Sequence, residues 1–308
     1  MGVGLLRKLD DQVSIIDTMA LGRSGVVGAY LLSGKECALI DMGYESSAKS
    51  VINDLEENGL GADSIDYLLP THVHLDHSGG CSSLAEKYVN ASIRVHPKGM
   101  PHLADPSKLW AGAGELFGSK LMERYGKPQP IARSRLREMN DNEEISLGGG
   151  LTLRSLWTPG HASHHLSYEL EGTGSVATGD AVGIIYPNVP VLVPTTPPTS
   201  FNLPLAIGSL ERIRGTRPTR LLTPHYGVMI DAINLISDNI QALKEWAIKI
   251  SSLLKEGASP ERIGRILTVE SARRAGKSID TIPDYLSMSI RVSVLGFTRY
   301  LENIAKAA

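Results

Sequence analysis

Thr71-His72-Val73-His74-Leu75-Asp76-His77 is the stretch that decides how this chain is read. Four residues of metal-ligating type fall within positions 72–77. Upstream, Ile65-Asp66-Tyr67-Leu68-Leu69-Pro70 has the apolar content of a buried strand, and downstream Ser78-Gly79-Gly80 opens a helical stretch. The cluster therefore sits on a strand-to-helix loop, where rigid elements aim several side chains at one point. Imidazole nitrogen with carboxylate oxygen is the donor set that zinc and similar divalent ions accept. A single histidine is often plain core or surface. Three histidines and an aspartate packed this closely are hard to explain as structure alone and predict a metal site.

Three later places supply further donors. They are Thr158-Pro159-Gly160-His161, Gly179-Asp180 and Thr223-Pro224-His225-Tyr226-Gly227. Each follows an apolar run with strand character: Leu151–Trp157, Ser175–Thr178 and Leu221-Leu222. A sheet delivers side chains at the ends of its strands to one common edge. Gly160 lets the backbone turn tightly, so that His161 can point into a site. Taken singly, Pro-Gly-His and Gly-Asp are ordinary turns; in this order, after the first cluster, they reinforce the metal reading.

The remaining chain supports a soluble globular scaffold. It has 308 residues, 42% hydrophobic and 21% charged, with a net charge of −2. That balance, with no long basic run, argues against a nucleic-acid surface, because phosphate binding needs clustered Lys and Arg. Two cysteines, Cys37 and Cys81, do not make a disulfide framework. The N-terminal residues lack the apolar core of a secretion signal, and no apolar run is long enough to span a membrane. The expected location is cytoplasmic, with no membrane or nucleic-acid partner.

Gly25–Leu32 and Cys37–Asp41 read as strands joined by a Ser33-Gly34-Lys35-Glu36 turn. A helix is expected at about 45–58 and another near 80–89, with a strand at Ser92–His96. Residues 97–140 show no strand pattern and read as a helical insertion or lid. Tyr186–Pro198 holds five prolines and reads as a stiff apolar loop, a poor strand or helix. From 231 onward, Leu235, Ile236, Ile240, Leu243, Trp246, Ile250, Leu253 and Leu254 recur at helical spacing up to Gly257. Ser259-Pro260-Glu261 starts a new helix, and a last one is expected at about 284–304. The expected organisation is a catalytic domain over 1–230 and an all-helical region over 231–308. A homodimer through these amphipathic helices is one arrangement the pattern allows.

The ordered set His72-x-His74-x-Asp76-His77, His161, Asp180 and His225 resembles the metallo-β-lactamase superfamily, over roughly residues 15–230. The resemblance implies an α/β (α+β) architecture, an αββα sandwich, here with a C-terminal helical appendage. It implies two divalent metal ions: zinc first, with iron or manganese also compatible. His72, His74 and His161 would hold one ion, Asp76, His77 and His225 the other, and Asp180 would bridge them. Asp41-Met42-Gly43 is similar to the family element whose Asp supports the ligand loop rather than binding metal.

Such an ion pair acidifies a shared water, giving a bridging hydroxide at neutral pH that attacks a polarised carbonyl. Asp76 would orient it or accept its proton, with Asp180 holding both ions; Tyr226 is a candidate hydrogen-bond donor to substrate. Tyr186 and His102 are candidate substrate contacts. The branches that resemble this chain most are glyoxalase II and the lactonases, so the expected substrate is a small ester, thioester or lactone. The glutathione-binding residues of glyoxalase II are not recognisable, and Gly183 stands where lactonases carry a tyrosine. Two other classes remain open at this point: a mononuclear iron oxygenase like the persulfide dioxygenases, and a non-enzymatic metal-binding module.

Overall fold

Apolar, β-rich segments early in the chain pair through short turns and begin the first sheet. A computed structural model describes residues 5–186 and 189–307. Strands β1 (Leu6–Lys8), β2 (Val13–Asp17), β3 (Gly28–Ser33), β4 (Cys37–Ile40), β5 (Tyr67–Leu69), β6 (Ser92–Val95) and β7 (Leu136–Glu138) lie side by side in chain order. Strands β1 to β4 are antiparallel and β4 to β7 parallel. Parallel neighbours require crossovers. These contain α1 (Ala48–Glu57); then α2 (Leu75–Ser78) and α3 (Cys81–Lys87); then α4 (Met100–Ala104), α5 (Ser107–Phe117) and α6 (Ser119–Tyr125).

The second sheet has the order β15-β14-β11-β10-β9-β8. Its strands are β8 (Glu144–Gly148), β9 (Leu151–Trp157), β10 (Leu166–Leu170), β11 (Ser175–Ala177), β14 (Arg220–Thr223) and β15 (Gly227–Met229). The alternation of β9 puts Leu151 and Leu153 inward. They join Leu166, Tyr168, Leu170 and Leu222 against Ile15, Tyr30, Leu32, Ile40 and Leu69 of the first sheet. The opposite face of the first sheet presents Leu39, Leu68 and Ile93 to Val51 and Leu55 of α1 and Leu84 of α3. Alternating side chains thus place the first sheet between two apolar layers.

The chain forms two compact units. The first comprises Met1–Trp157, His164–Gly179 and Leu221–Val228, and the second Thr158–Ser163, Asp180–Arg220 and Met229–Ala308. This grouping differs from a single cut after residue 230, because segments 158–163 and 180–220 pack with the C-terminal helices. The second unit holds a hairpin of β12 (Ile184–Tyr186) and β13 (Val189–Val193), with helices α7 (Leu203–Gly215), α8 (Ala232–Lys255), α9 (Pro260–Arg274) and α10 (Asp284–Ala307). Helix α8 packs on α7, α9, α10 and β13. Its buried stripe includes Ile236, Leu243, Trp246 and Ile250. The Ser259 hydroxyl accepts from the Arg262 N–H at 3.3 Å and caps α9, where Ser-Pro-Glu predicts a helix start.

Two expectations need correction. Residues 186–198 are not merely a loop, since Val189–Val193 pairs with Ile184–Tyr186. Proline lacks an N–H, but a two-stranded ribbon has outward edges where Pro190 costs no ladder bond. The 97–140 segment is helical as expected over α4 to α6, yet it also contributes β7, a three-residue edge strand too short to show alternation. Strands β1, β2, β8 and β15 also lie outside the expected set. Cys37 and Cys81 are free thiols. Among the described residues no helix is long and apolar enough to cross a membrane.

Candidate metal centre

In the first unit, β5 ends at Leu69 and the chain enters α2 at Leu75, so His72, His74, Asp76 and His77 lie on one loop and the helical turn it starts. The anchor is Asp41, buried at the end of β4 with φ 58°. Asp and Asn are the non-glycine residues that tolerate this left-handed region best. Its Oδ1 accepts from the Thr71 N–H at 2.8 Å and the Thr71 hydroxyl at 2.9 Å. Its Oδ2 accepts from His77 Nδ1 at 2.9 Å. His72 Nδ1 lies 3.0 Å from Thr71 Oγ1, which can accept its proton because the hydroxyl donates to Asp41. His225 Nδ1 lies 3.3 Å from the Val26 carbonyl. In each of these three histidines a neighbour engages Nδ1 and presents Nε2, the tautomer control that metal-ligating imidazoles use.

The presented atoms converge. Ligand atoms of Asp76, His77 and His225 all lie within 4.8 Å of one another. Asp76 Oδ2 is 3.7 Å from His77 Nε2 and 3.5 Å from His225 Nε2. Donors arranged tetrahedrally about an ion at about 2.0–2.2 Å would stand about 3.3–3.6 Å apart. The spacing and the donor chemistry fit a divalent cation. His72 Nε2 and His74 Nδ1 approach to 2.8 Å, so an ion shared by them would spread the pair by about half an ångström.

In the second unit, His161 Nε2 and Asp180 Oδ2 are 3.5 Å apart, the same donor spacing. Thr195 holds both residues. Its carbonyl lies 3.1 Å from His161 Nδ1, and its hydroxyl donates to the Asp180 carbonyl at 2.6 Å. The turn before His161 depends on Gly160, at φ +131°, where a Cβ would stand 2.3 Å from the Ala206 nitrogen at the start of α7.

The other candidates have these surroundings. Tyr226 packs against the core between the sheets, with its ring edge against Gly28, and burial pushes its phenol up to about 12. Tyr186 is buried, its ring 4.5 Å from that of Tyr285. His102 is half-buried on α4, its ring 6.1 Å from His164. Burial pushes the His164 imidazole down to about 3, and the nearby His74 and His102 rings reinforce the shift. His165 is fully buried, its ring 5.0 Å from that of His72. Thr71 and Thr195 escape a sequence reading because a threonine beside a ligand, or 34 residues from one, carries no distinctive spacing.

Comparison with known proteins bears on the family and the fold. A family model described as the metallo-beta-lactamase superfamily matches residues 23–225. The chain is 30% identical over 170 residues to the metallo-beta-lactamase fold-containing protein ST1585 of Sulfurisphaera tokodaii, covering 54% of this chain and 62% of that one. It is 30% identical to the probable metallo-hydrolase MJ0888 of Methanocaldococcus jannaschii, covering 66% and 88%. It is 30% identical to the thioesterase pkgB of Emericella nidulans, covering 49% and 34%. The first relative is thus spanned over less than two thirds of its length. The crystal structure of ST1585 from Sulfolobus tokodaii superposes with a TM-score of 0.66 at 24% identity, covering 89% of this chain and 93% of that one, a likeness of fold. The ordered histidine and aspartate donors, the two-sheet core and a family match across 23–225 identify this chain as a member of the metallo-β-lactamase superfamily.

Proposed function

We propose that the protein is a hydrolase that uses two divalent metal ions, zinc first, to cleave a small ester, thioester or lactone. The observation that carries this reading is the set Asp76, His77 and His225, with donor atoms at cation spacing and both imidazoles oriented through Nδ1. In this reading His72, His74 and His161 would hold one ion, Asp76, His77 and His225 the other, and Asp180 would serve both. When bound, the ions supply an acidified water and Lewis-acid polarisation of the substrate carbonyl.

The chain's own residues supply the rest. Asp76 directs Oδ2 to the two histidines, and its other oxygen can accept the proton of the attacking water. Asp41 and Thr71 engage Nδ1 of His77 and His72, which limits the reorganisation these ligands need on binding. The Thr195 carbonyl engages Nδ1 of His161 in the same way, and its hydroxyl ties down the Asp180 backbone. The proposed partner is a small molecule, not nucleic acid or membrane, and the proposed compartment is the cytoplasm.

The test is metal analysis and pH-stat hydrolysis of small lactones, thioesters and esters, with Asp180→Asn as control. The reading expects two ions per chain and acid release that disappears in the variant. No release from any carbonyl substrate, in protein shown to hold metal, would overturn it and direct attention to oxygen uptake with a persulfide.

A further inference from the structure

Helix α8 buries a stripe that includes Ile236, Ile240, Leu243, Trp246 and Ile250. Asn239 stands in that stripe with 1% of its surface exposed. An amide in an apolar stripe costs stability unless its polar atoms are hydrogen-bonded. Among the described residues, nothing hydrogen-bonds to Asn239 Oδ1. A leucine would complete the stripe, so packing alone does not account for the amide.

Asn239 lines a small cavity together with His161, Asp180, Thr158, Thr195 and Ser209. All of these residues belong to the second unit. The cavity has about 10 Å³ of room for the centre of a water, the size of a single-water site. Asn239 also meets the loop after Asp180. A Cβ on Gly183 would stand 3.2 Å from Asn239 Oδ1 and 2.7 Å from the Val193 carbonyl oxygen, so glycine is what lets this loop close over the amide. The two hydroxyls nearest these groups have committed their protons. Ser209 donates to the Pro159 carbonyl at 2.5 Å, and Thr195 to the Asp180 carbonyl at 2.6 Å. A water in the cavity can donate to Asn239 Oδ1 and to the Asp180 carboxylate, and buried waters need two to four such partners.

We propose that Asn239 is a positioning residue of the candidate metal centre. Its amide holds one water in this cavity, and the water braces Asp180 beside His161, whose Nε2 lies 3.5 Å from Asp180 Oδ2. The proposal rests on the metal-binding reading above. It brings the C-terminal helical region to the centre through a residue that is not itself a ligand.

The test compares full-length wild type with Asn239→Leu, which is close in size and restores the apolar stripe. Metal-free Asn239→Leu unfolds at the wild-type urea concentration or above it, because an unsatisfied buried amide has been removed. Its zinc affinity, read by competition against a chromophoric chelator, falls about tenfold. In cobalt-loaded protein the visible absorption bands shift as well. Wild-type zinc affinity with unchanged cobalt bands in Asn239→Leu would overturn the positioning role and leave the metal reading standing. Wild-type protein that takes up neither ion would remove the metal reading, and the positioning role with it. A high-resolution crystal structure of zinc-loaded wild type reads the cavity without any variant. A water within hydrogen-bond distance of both the Asn239 amide and the Asp180 carboxylate is expected, and a dry cavity would overturn the proposal.

Discussion

Asp41→Asn separates the orientation of the ligands from the ligands themselves. Asparagine tolerates the left-handed backbone at φ 58° as aspartate does, so the substitution tests chemistry rather than strain. The amide oxygen can still accept from the Thr71 N–H and hydroxyl, at 2.8 and 2.9 Å in the native protein. The amide NH2 then replaces Oδ2, which accepts from His77 Nδ1 at 2.9 Å. Two donors cannot face each other at that distance. His77 must surrender the Nδ1 proton and carry it on Nε2, the nitrogen presented to Asp76 and His225, and a protonated nitrogen has no lone pair for a metal.

Losing one buried charge-assisted hydrogen bond costs the metal-free protein about 1.5–3 kcal/mol. Losing the orienting partner weakens metal affinity about 10–100-fold. Urea denaturation of metal-free protein reads the first quantity, and competition against a chromophoric chelator reads the second. A folded Asp41→Asn protein with wild-type metal affinity would refute the claim that Asp41 sets the His77 tautomer.

Three further outcomes follow from the packing. Gly160→Ala brings a Cβ to within 2.3 Å of the Ala206 nitrogen at a φ of +131°, so the turn before His161 and the start of α7 must separate. The expected loss is about 2–4 kcal/mol in thermal or urea denaturation, together with weakened metal retention. Burial pushes the Cys81 thiol from 9.0 up to about 12, so the folded state holds a proton that the unfolded chain releases. Stability therefore falls as pH rises from about 9 toward 12, by at most about 1.4 kcal/mol per pH unit, and Cys81→Ala removes that component of the slope. In the folded protein Cys81 reacts with a thiol reagent only after denaturant is added, whereas half-buried Cys37 reacts sooner.

Local pattern made much of the scaffold legible. The apolar run before Thr71 is β5, the alternation of Leu151–Trp157 is β9, and the helical period after 231 is α8, because each is a signal carried by neighbours in sequence. The hairpin at 184–193 and strand β7 were not legible. A short edge strand is stabilised by its partner, and prolines in Tyr186–Pro198 mask a ribbon whose outward edge accepts one.

Sequence by itself determined the donor types, their order and their position at strand ends, since these depend only on residue identity and local periodicity. Tertiary structure decided which nitrogen His77, His161 and His225 present, whereas His72 is engaged by its chain neighbour Thr71. The groups that engage Nδ1 of His77, His161 and His225 lie 36, 34 and 199 residues away in the chain. No local pattern encodes contacts of that range; they exist only once the sheets and the loops at their ends have packed.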